Sequence, residues 1–140
     1  MKINNVVVIG SGTMGSGIAA QLCNANIPVT LLDLKTEISQ KAKERIEKSR
    51  PPLLIDKSKI DGIKVGNIND DFNIVSEADW IVEAVVERID IKHDIYDKIF
   101  KQRKKGSIVS SNTSSIPISV LSEKLTEDDK KDFCITHFFN

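Results

Sequence analysis

Apolar residues fall in short dense runs, and the segments between them are polar with helical spacing. Residues 3–9, INNVVVI, are β-branched and continuous rather than alternating. That pattern predicts a strand buried on both faces, as in a parallel sheet. From Thr13 to Asn26, apolar Met14, Ile18, Leu22 and Ala25 recur every three or four residues and predict a helix. Pro28 leads into a second strand, VTLLD (29–33). Thr36 is expected to cap a long polar helix over 36–49, which Pro51 and Pro52 stop. A short strand (63–66), a short helix (70–78) and a buried strand, WIVEAVV (80–86), come next. An amphipathic helix over 90–105 carries Ile91, Ile95 and Ile99 on one stripe, and Gly106 ends it. A strand (107–111), a helix (117–125) with Pro117 in its first turn and a last strand (133–139) complete the pattern. Strands alternating with helices imply right-handed βαβ crossovers and a sheet covered on both faces. The expected fold class is α/β: a doubly wound Rossmann fold with a mainly parallel sheet.

Composition narrows the function classes. The chain has 140 residues, which suits one domain and allows burial of roughly two-thirds of the unfolded surface. Twenty Lys and Arg balance twenty Asp and Glu. The net charge of zero leaves no footprint for nucleic acid or an anionic membrane, so neither is an expected partner. No apolar run approaches the ~20 residues that span a bilayer. Residues 1–5 pass straight into a strand, so no targeting segment is expected. Cys23 and Cys134 belong to no CxxC pair and read as small apolar core thiols. These features point to a cytoplasmic protein. His93 is expected to be solvated on its charged helix, KQRKK (101–105) to be an exposed helix end, and Phe138 and Phe139 to lie in the core.

The first strand runs into Gly10-Ser11-Gly12-Thr13-Met14-Gly15, a GxGxxG pattern. It follows a strand, opens a helix and is followed by Asp33 at the end of the next strand, which is the context a dinucleotide fingerprint requires. Gly10 would make the tight turn, Gly12 admit a pyrophosphate, and Gly15 bring helix and strand together. The helix start would direct unpaired N–H groups and partial positive charge at the phosphates. Asp33 suits ribose hydroxyls and would repel a 2′-phosphate, which favours NAD over NADP despite nearby Lys35.

Ligands of such sheets lie outside the carboxyl ends of the strands. There the fourth strand delivers Ala84 to Glu87, the fifth Ser111-Asn112-Thr113-Ser114-Ser115, and the sixth His137 to Asn140. A carboxylate, hydroxyls with an amide, and an imidazole suit hydride transfer beside a hydroxyl. A histidine can take the O–H proton while the cofactor accepts the hydride. Helix capping is the competing explanation for Ser114 and Ser115.

The segments GSGTMGSGIA, LLDL, VEAVVERIDIK, SNTSSIPIS and THFFN together resemble the N-terminal NAD-binding domain of 3-hydroxyacyl-CoA dehydrogenase. Similar segments occur in the dehydrogenase part of multifunctional fatty-acid oxidation enzymes. The resemblance spans essentially the whole chain, and SNTSS paired with HFFN is its most specific part. It implies NAD as cofactor, 3-hydroxyacyl-CoA and 3-oxoacyl-CoA as the substrate pair, and a place in fatty-acid β-oxidation. It implies that His137 is the catalytic histidine and Ser114 the serine that bonds the substrate oxygen. Ala84, Glu87, Lys92, Asn112 and Asn140 would line the cofactor beside the residues of the glycine turn, and Ser49 would lie near the CoA moiety. Residues 1–140 are read as the NAD-binding domain, with no second domain in this chain.

In the family, a glutamate about a dozen residues beyond the histidine orients it, and a helical C-terminal domain closes over the acyl chain. The chain stops at Asn140. By itself it is expected to bind NAD with little turnover, and a helical domain or partner chain is an expected associate. PPLLIDKSKIDG (51–62) stands where the family has a longer charged helix. Two other readings stay open: a non-catalytic dinucleotide-binding module that needs a partner, and a dehydrogenase of small β-hydroxy acids.

Overall fold

The apolar run of β1 (Val6–Ile9) is unbroken because both of its faces are covered. A computed structural model describes residues 1–139. With β2 (Val29–Asp33), β3 (Ile63–Asn67), β4 (Trp80–Glu83), β5 (Ile108–Ser111) and β6 (Phe133–Ile135), β1 forms one parallel sheet. The strand order is β3-β2-β1-β4-β5-β6. Val6 and Val8 pack with Ile18 and Leu22 of α1 (Thr13–Asn24) and with Ala42 and Ile46 of α2 (Thr36–Lys48). Val7 and Ile9 pack on the other face with Ile95, Tyr96 and Ile99 of α3 (Ile89–Gln102). Each such buried aliphatic side chain contributes roughly 1.5–3 kcal/mol of transfer free energy. The α/β doubly wound fold is therefore present, with helices on both faces of the sheet.

Register brings the strand ends to one edge. Ile9 lies beside Leu32 and Glu83, Glu83 beside Ser111, and Ser111 beside Ile135. The strand order reverses at β1, so a crevice opens outside the ends of β1 and β4.

Several boundaries differ from the expected ones, each for a local reason. Strand β1 starts at Val6 rather than residue 3, because the N–H groups of Asn4 and Asn5 donate to the Asp79 carboxylate instead of a ladder. Helix α1 stops at Asn24, and Asn26 turns the chain with φ 61°. Thr36 is not the cap of α2: Lys35 holds that position, and the Thr36 hydroxyl accepts from Asn67. The 51–62 segment contains a 3-10 turn, Lys57–Gly62, started by the Asp56 side chain, and the expected 70–78 helix is a 3-10 turn over Phe72–Glu77. Strand β4 ends at Glu83 rather than 86, because the Glu83 side chain takes the Val85 N–H. Helix α3 ends at Gln102, before Gly106, where Arg103 turns to pair with Asp129 and Asp132. Arg103 is thus not part of a freely exposed helix end.

The expected 117–125 helix is only α4 (Ile118–Leu121), with Pro117 at its cap, and α5 (Glu127–Lys130) begins after Thr126 caps it. The Ser122 hydroxyl bonds back to the Ile118 carbonyl where α4 ends. Strand β6 covers only Phe133–Ile135, so Phe139 is 88% exposed rather than core and Phe138 is half-buried. His93 is buried, not solvated, with Nε2 2.9 Å from the Val120 carbonyl oxygen. Cys23 is buried and Cys134 half-buried, and both are free. Among the described residues no helix is long and apolar enough to cross a membrane.

Asp79 ties three segments together. It accepts from Asn4 N (2.8 Å), Asn5 N (3.0 Å) and Lys104 Nζ (2.5 Å). The Lys104 hydrogen bond, then those of Asn4 and Asn5, hold its carboxyl at about 2, below the ordinary 3.8. A depressed folded-state value contributes stability that is complete above the unfolded value and disappears as pH falls through the folded one. Urea midpoints should therefore fall between pH 4 and 2 more steeply in the parent than in Asp79→Asn. Parallel curves would show that Asp79 carries no such linkage.

Candidate functional site: a divided cleft at the strand ends

The β1–α1 turn is built by close backbone approach. Gly10 has φ 103°, and a Cβ on it would strike the Ala84 carbonyl. A Cβ on Gly15 would strike the Gly10 carbonyl, so helix and turn touch directly there. A Cβ on Gly12 would meet open space on the cleft side of the turn. Helix α1 has no side-chain cap and no acidic residue in its first turn, so the N–H groups at Thr13 and Met14 are left for an anionic ligand.

Beside this turn lies a cleft of about 420 Å³. Its walls include Leu34, Ile38, Ile68, Val86 and Ile91, with Asp33 at the rim. Asp33 Oδ2 accepts from Ser11 N (2.8 Å) and Ser11 Oγ (2.5 Å), and Oδ1 accepts from Leu34 N (2.7 Å). Apolar walls for a flat base, a carboxylate for hydroxyls and uncapped N–H groups for phosphate fit a dinucleotide. A second cleft, about 170 Å³, is lined by Met14, Glu87, Lys92, Asn112, Ser114 and His137. Ala84 and Val85 border both clefts, so the two are halves of one crevice.

Charge beneath the smaller cleft is organised by a group that sequence reading passed over. Glu83 ends β4 on the same face as Ile81, because strand side chains alternate. That face meets α3, where Lys92 and Tyr96 stand one turn apart. Glu83 is 0% exposed and Lys92 1%. Lys92 Nζ lies 2.6 Å from Glu83 Oε2 and 3.0 Å from Glu87 Oε1, and donates a longer bond to the Val85 carbonyl at 3.4 Å. Tyr96 (2.5 Å) and Ser111 (2.6 Å) donate hydroxyls to Glu83 Oε1. Burial, and then the Glu83 carboxylate, push the Tyr96 phenol above its ordinary range, so it remains a donor. The sequence signal was there: a carboxylate inside an apolar strand, with a lysine and a tyrosine at i and i+4 on the next helix.

Glu87 is the exposed end of this chain of charges. Its Oε2 accepts from Thr113 Oγ1 (2.7 Å) and Ser115 Oγ (3.1 Å). Burial works to raise the Glu87 carboxyl, but the Thr113 and Lys92 bonds and the Lys92 charge outweigh it and hold the group below the usual carboxylate range. Ser115 is spent on Glu87, and Pro117 is the N-cap of α4 with no side-chain cap bond, so neither serine caps that helix. Ser114 is exposed on the cleft wall. Lys92 lines the cleft too, but its charge sits behind Glu87 rather than at the surface.

His137 projects from a segment clamped on both sides. Thr136 N donates to the Ser111 carbonyl (3.0 Å), and Thr136 Oγ1 donates to Ser110 Oγ (2.7 Å). Phe138 N donates to Asn112 Oδ1 (2.8 Å), and the Phe138 ring stacks on Trp80 with centroids 6.4 Å apart. The exposed His137 ring packs against Phe139 in a T-shaped arrangement, with centroids 4.7 Å apart. Among the described residues no carboxylate bonds that ring. Ser49 lines neither half of the crevice: it closes α2, donating to the Ile46 carbonyl and accepting from Leu53 N. Asn140 lies outside the described residues.

Residues 5–140 match the family model described as "3-hydroxyacyl-CoA dehydrogenase, NAD binding domain". A Deinococcus radiodurans protein described as a probable 3-hydroxyacyl-CoA dehydrogenase is 42% identical over 147 aligned positions, which cover 100% of this chain and 42% of that protein. Among solved structures, the chain superposes on 3-hydroxybutyryl-CoA dehydrogenase from Escherichia coli K12 with TM-score 0.86 and 25% identity, covering 100% of this chain and 30% of that one. For (S)-3-hydroxybutyryl-CoA dehydrogenase from Ralstonia eutropha the TM-score is 0.81 and the identity 29%, covering 99% and 50%. The chain thus spans less than half the length of the Deinococcus relative.

The Glu83–Lys92 pair makes a stability test. Lys92→Met strands a buried carboxylate and should lower unfolding free energy by about 3–5 kcal/mol in urea titrations. Adding Glu83→Gln should recover part of that loss. Strict additivity of the two substitutions would show that the pair is not coupled.

Proposed function

Because this chain belongs to the family of 3-hydroxyacyl-CoA dehydrogenase NAD-binding domains and its cofactor is NAD, we propose that it is the NAD-binding part of an enzyme interconverting (S)-3-hydroxyacyl-CoA and 3-oxoacyl-CoA in cytoplasmic fatty-acid β-oxidation. The observation that carries the reading is the joint presence of Ser114, His137 and Glu87 in the half-cleft that shares Ala84 and Val85 with the glycine turn.

Bound NAD would supply the acceptor for the hydride leaving the substrate's C3. The chain's own residues handle the proton and the oxygen. The Ser114 hydroxyl donates to the substrate oxygen and holds it toward His137. An imidazole nitrogen of His137 takes the hydroxyl proton as the C–O bond becomes a carbonyl, and returns it in the reverse direction. The Asn112 and Trp80 contacts to Phe138 keep the histidine segment from swinging away from the cleft. Glu87, held ionised, is an acceptor for hydroxyl groups of the cofactor's nicotinamide half. Asp33 does the same at the adenosine half, and Ser49 is assigned to the CoA side.

A base without an orienting carboxylate loses up to about 10⁴ in rate when the partner is essential. The 140-residue chain should therefore bind NADH, seen as a fluorescence change on titration, yet turn over acetoacetyl-CoA far more slowly than the ~10 s⁻¹ of an ordinary enzyme. Turnover at that ordinary value, or turnover of free hydroxy acids in preference to the thioester, would overturn the reading. His137→Gln should leave NADH affinity within about twofold and cut the residual turnover by about 10² or more. Equal loss of binding and turnover would instead make His137 a structural residue.

A further inference from the structure

One cation lines the larger cleft among the described residues: Arg45 of α2. Its Nη2 donates to the Ser11 carbonyl at 3.1 Å, so the guanidinium is moored to the glycine turn. Ser16 Oγ donates to the same carbonyl at 3.0 Å and keeps it directed at α2. On its other side Ser11 gives its N–H and its hydroxyl to Asp33. A single residue of the turn therefore holds a carboxylate by donating and a guanidinium by accepting. Arg45 and Asp33 make no ion pair with each other, and Arg45 pairs with no acid among the described residues.

An arginine on a polar helix is ordinarily a solvated charge, often matched by an acid one turn away. Here the positions four residues either side are Lys41 and Ser49, so α2 offers Arg45 no such partner. Buried Ala42 and Ile46 set the roll of α2 and send Arg45 out along the side that faces the start of α1. Among the described residues the guanidinium makes only the Ser11 bond, which leaves four of its five N–H donors for a ligand. The turn itself, 10–15, contains no lysine or arginine. A helix start offers about half a positive charge, less than a dinucleotide's diphosphate carries.

We infer that Arg45 is a diphosphate-binding residue of the adenosine half of the cofactor site: it supplies the full positive charge that the glycine turn lacks, while Asp33 receives the ribose hydroxyls. The inference rests on the NAD reading of the cleft and adds to it a residue outside the fingerprint. Arginine presents a fork of donors matched to phosphate oxygens, and its one bond to Ser11 pre-orients that fork.

The test compares the parent chain with Arg45→Ala and Arg45→Lys, by calorimetry or by displacement of NADH fluorescence, using NADH, NADPH, ADP and adenosine as probes. Arg45 is exposed, so folding is checked by circular dichroism and should be unaffected. Arg45→Ala should weaken NADH and ADP by the same factor, about five- to tenfold, and leave adenosine unchanged. The affinity of the parent for ADP should fall more steeply with salt than that of the variant, and Arg45→Lys should lie between the two. Unchanged ADP binding would overturn the inference, because Arg45 would then be a solvated charge. Equal weakening of adenosine would overturn it in favour of packing against the base. A far larger effect on NADPH than on NADH would overturn it in favour of a ribose-phosphate contact. Failure of the parent to bind NADH at all would instead remove the cofactor reading.

Discussion

A carboxylate with no access to water stands where β4 leaves the sheet. Glu83 is tolerated there because a lysine ammonium, two hydroxyls and a backbone N–H surround it. A buried ion needs every one of its oxygens engaged, so these partners cannot be placed loosely. The same demand fixes the neighbourhood. It takes the Val85 N–H out of the sheet ladder, anchors the first half of α3 through Lys92 and Tyr96, and pins the end of β5 through Ser111.

Two consequences reach the crevice. First, the chain bends at Ala84 and Val85, which become the wall shared by the two halves of the cleft. Ala84 also presses on Gly10, so the bend and the glycine turn hold each other in place. Second, Lys92 carries the buried charge outward to Glu87, whose carboxylate is then fixed by Thr113 and Ser115. An internal ion pair is thus converted into an oriented acceptor on a ligand-facing surface. The His137 segment is held by a separate device, in which Ser110, Ser111, Asn112 and Trp80 each grip a residue flanking the histidine. The larger half follows a similar economy, with Ser11 holding Asp33 and Arg45 on opposite sides of one residue.

Much of this was legible along the chain. The continuous apolar run at 6–9 reads as a strand covered on two faces and VTLLD (29–33) as the next strand, and the GxGxxG turn with Asp33 placed a cofactor crevice at their ends. Local stereochemistry sufficed, because a glycine turn and a hydrophobic period are properties of neighbouring residues. The resemblance carried by SNTSS and HFFN singled out Ser114 and His137, and the structure brings both to one half-cleft.

What local sequence could not decide was which polar groups would be spent inside. His93 reads as solvated on its charged helix, and the helix pattern alone does not mark its neighbour Lys92 as buried, but the roll of α3 against the sheet buries both. Strand ends were overestimated at β1, β4 and β6, because a side chain or a neighbouring segment claims backbone donors that pattern alone assigns to a ladder. Those claims are made between residues as far apart as Asn4 and Asp79, so only tertiary packing brings donor and acceptor together. The order of elements and the place of the crevice came from short-range patterning. The charge network that shapes the crevice came from contacts that exist only once the sheet has formed.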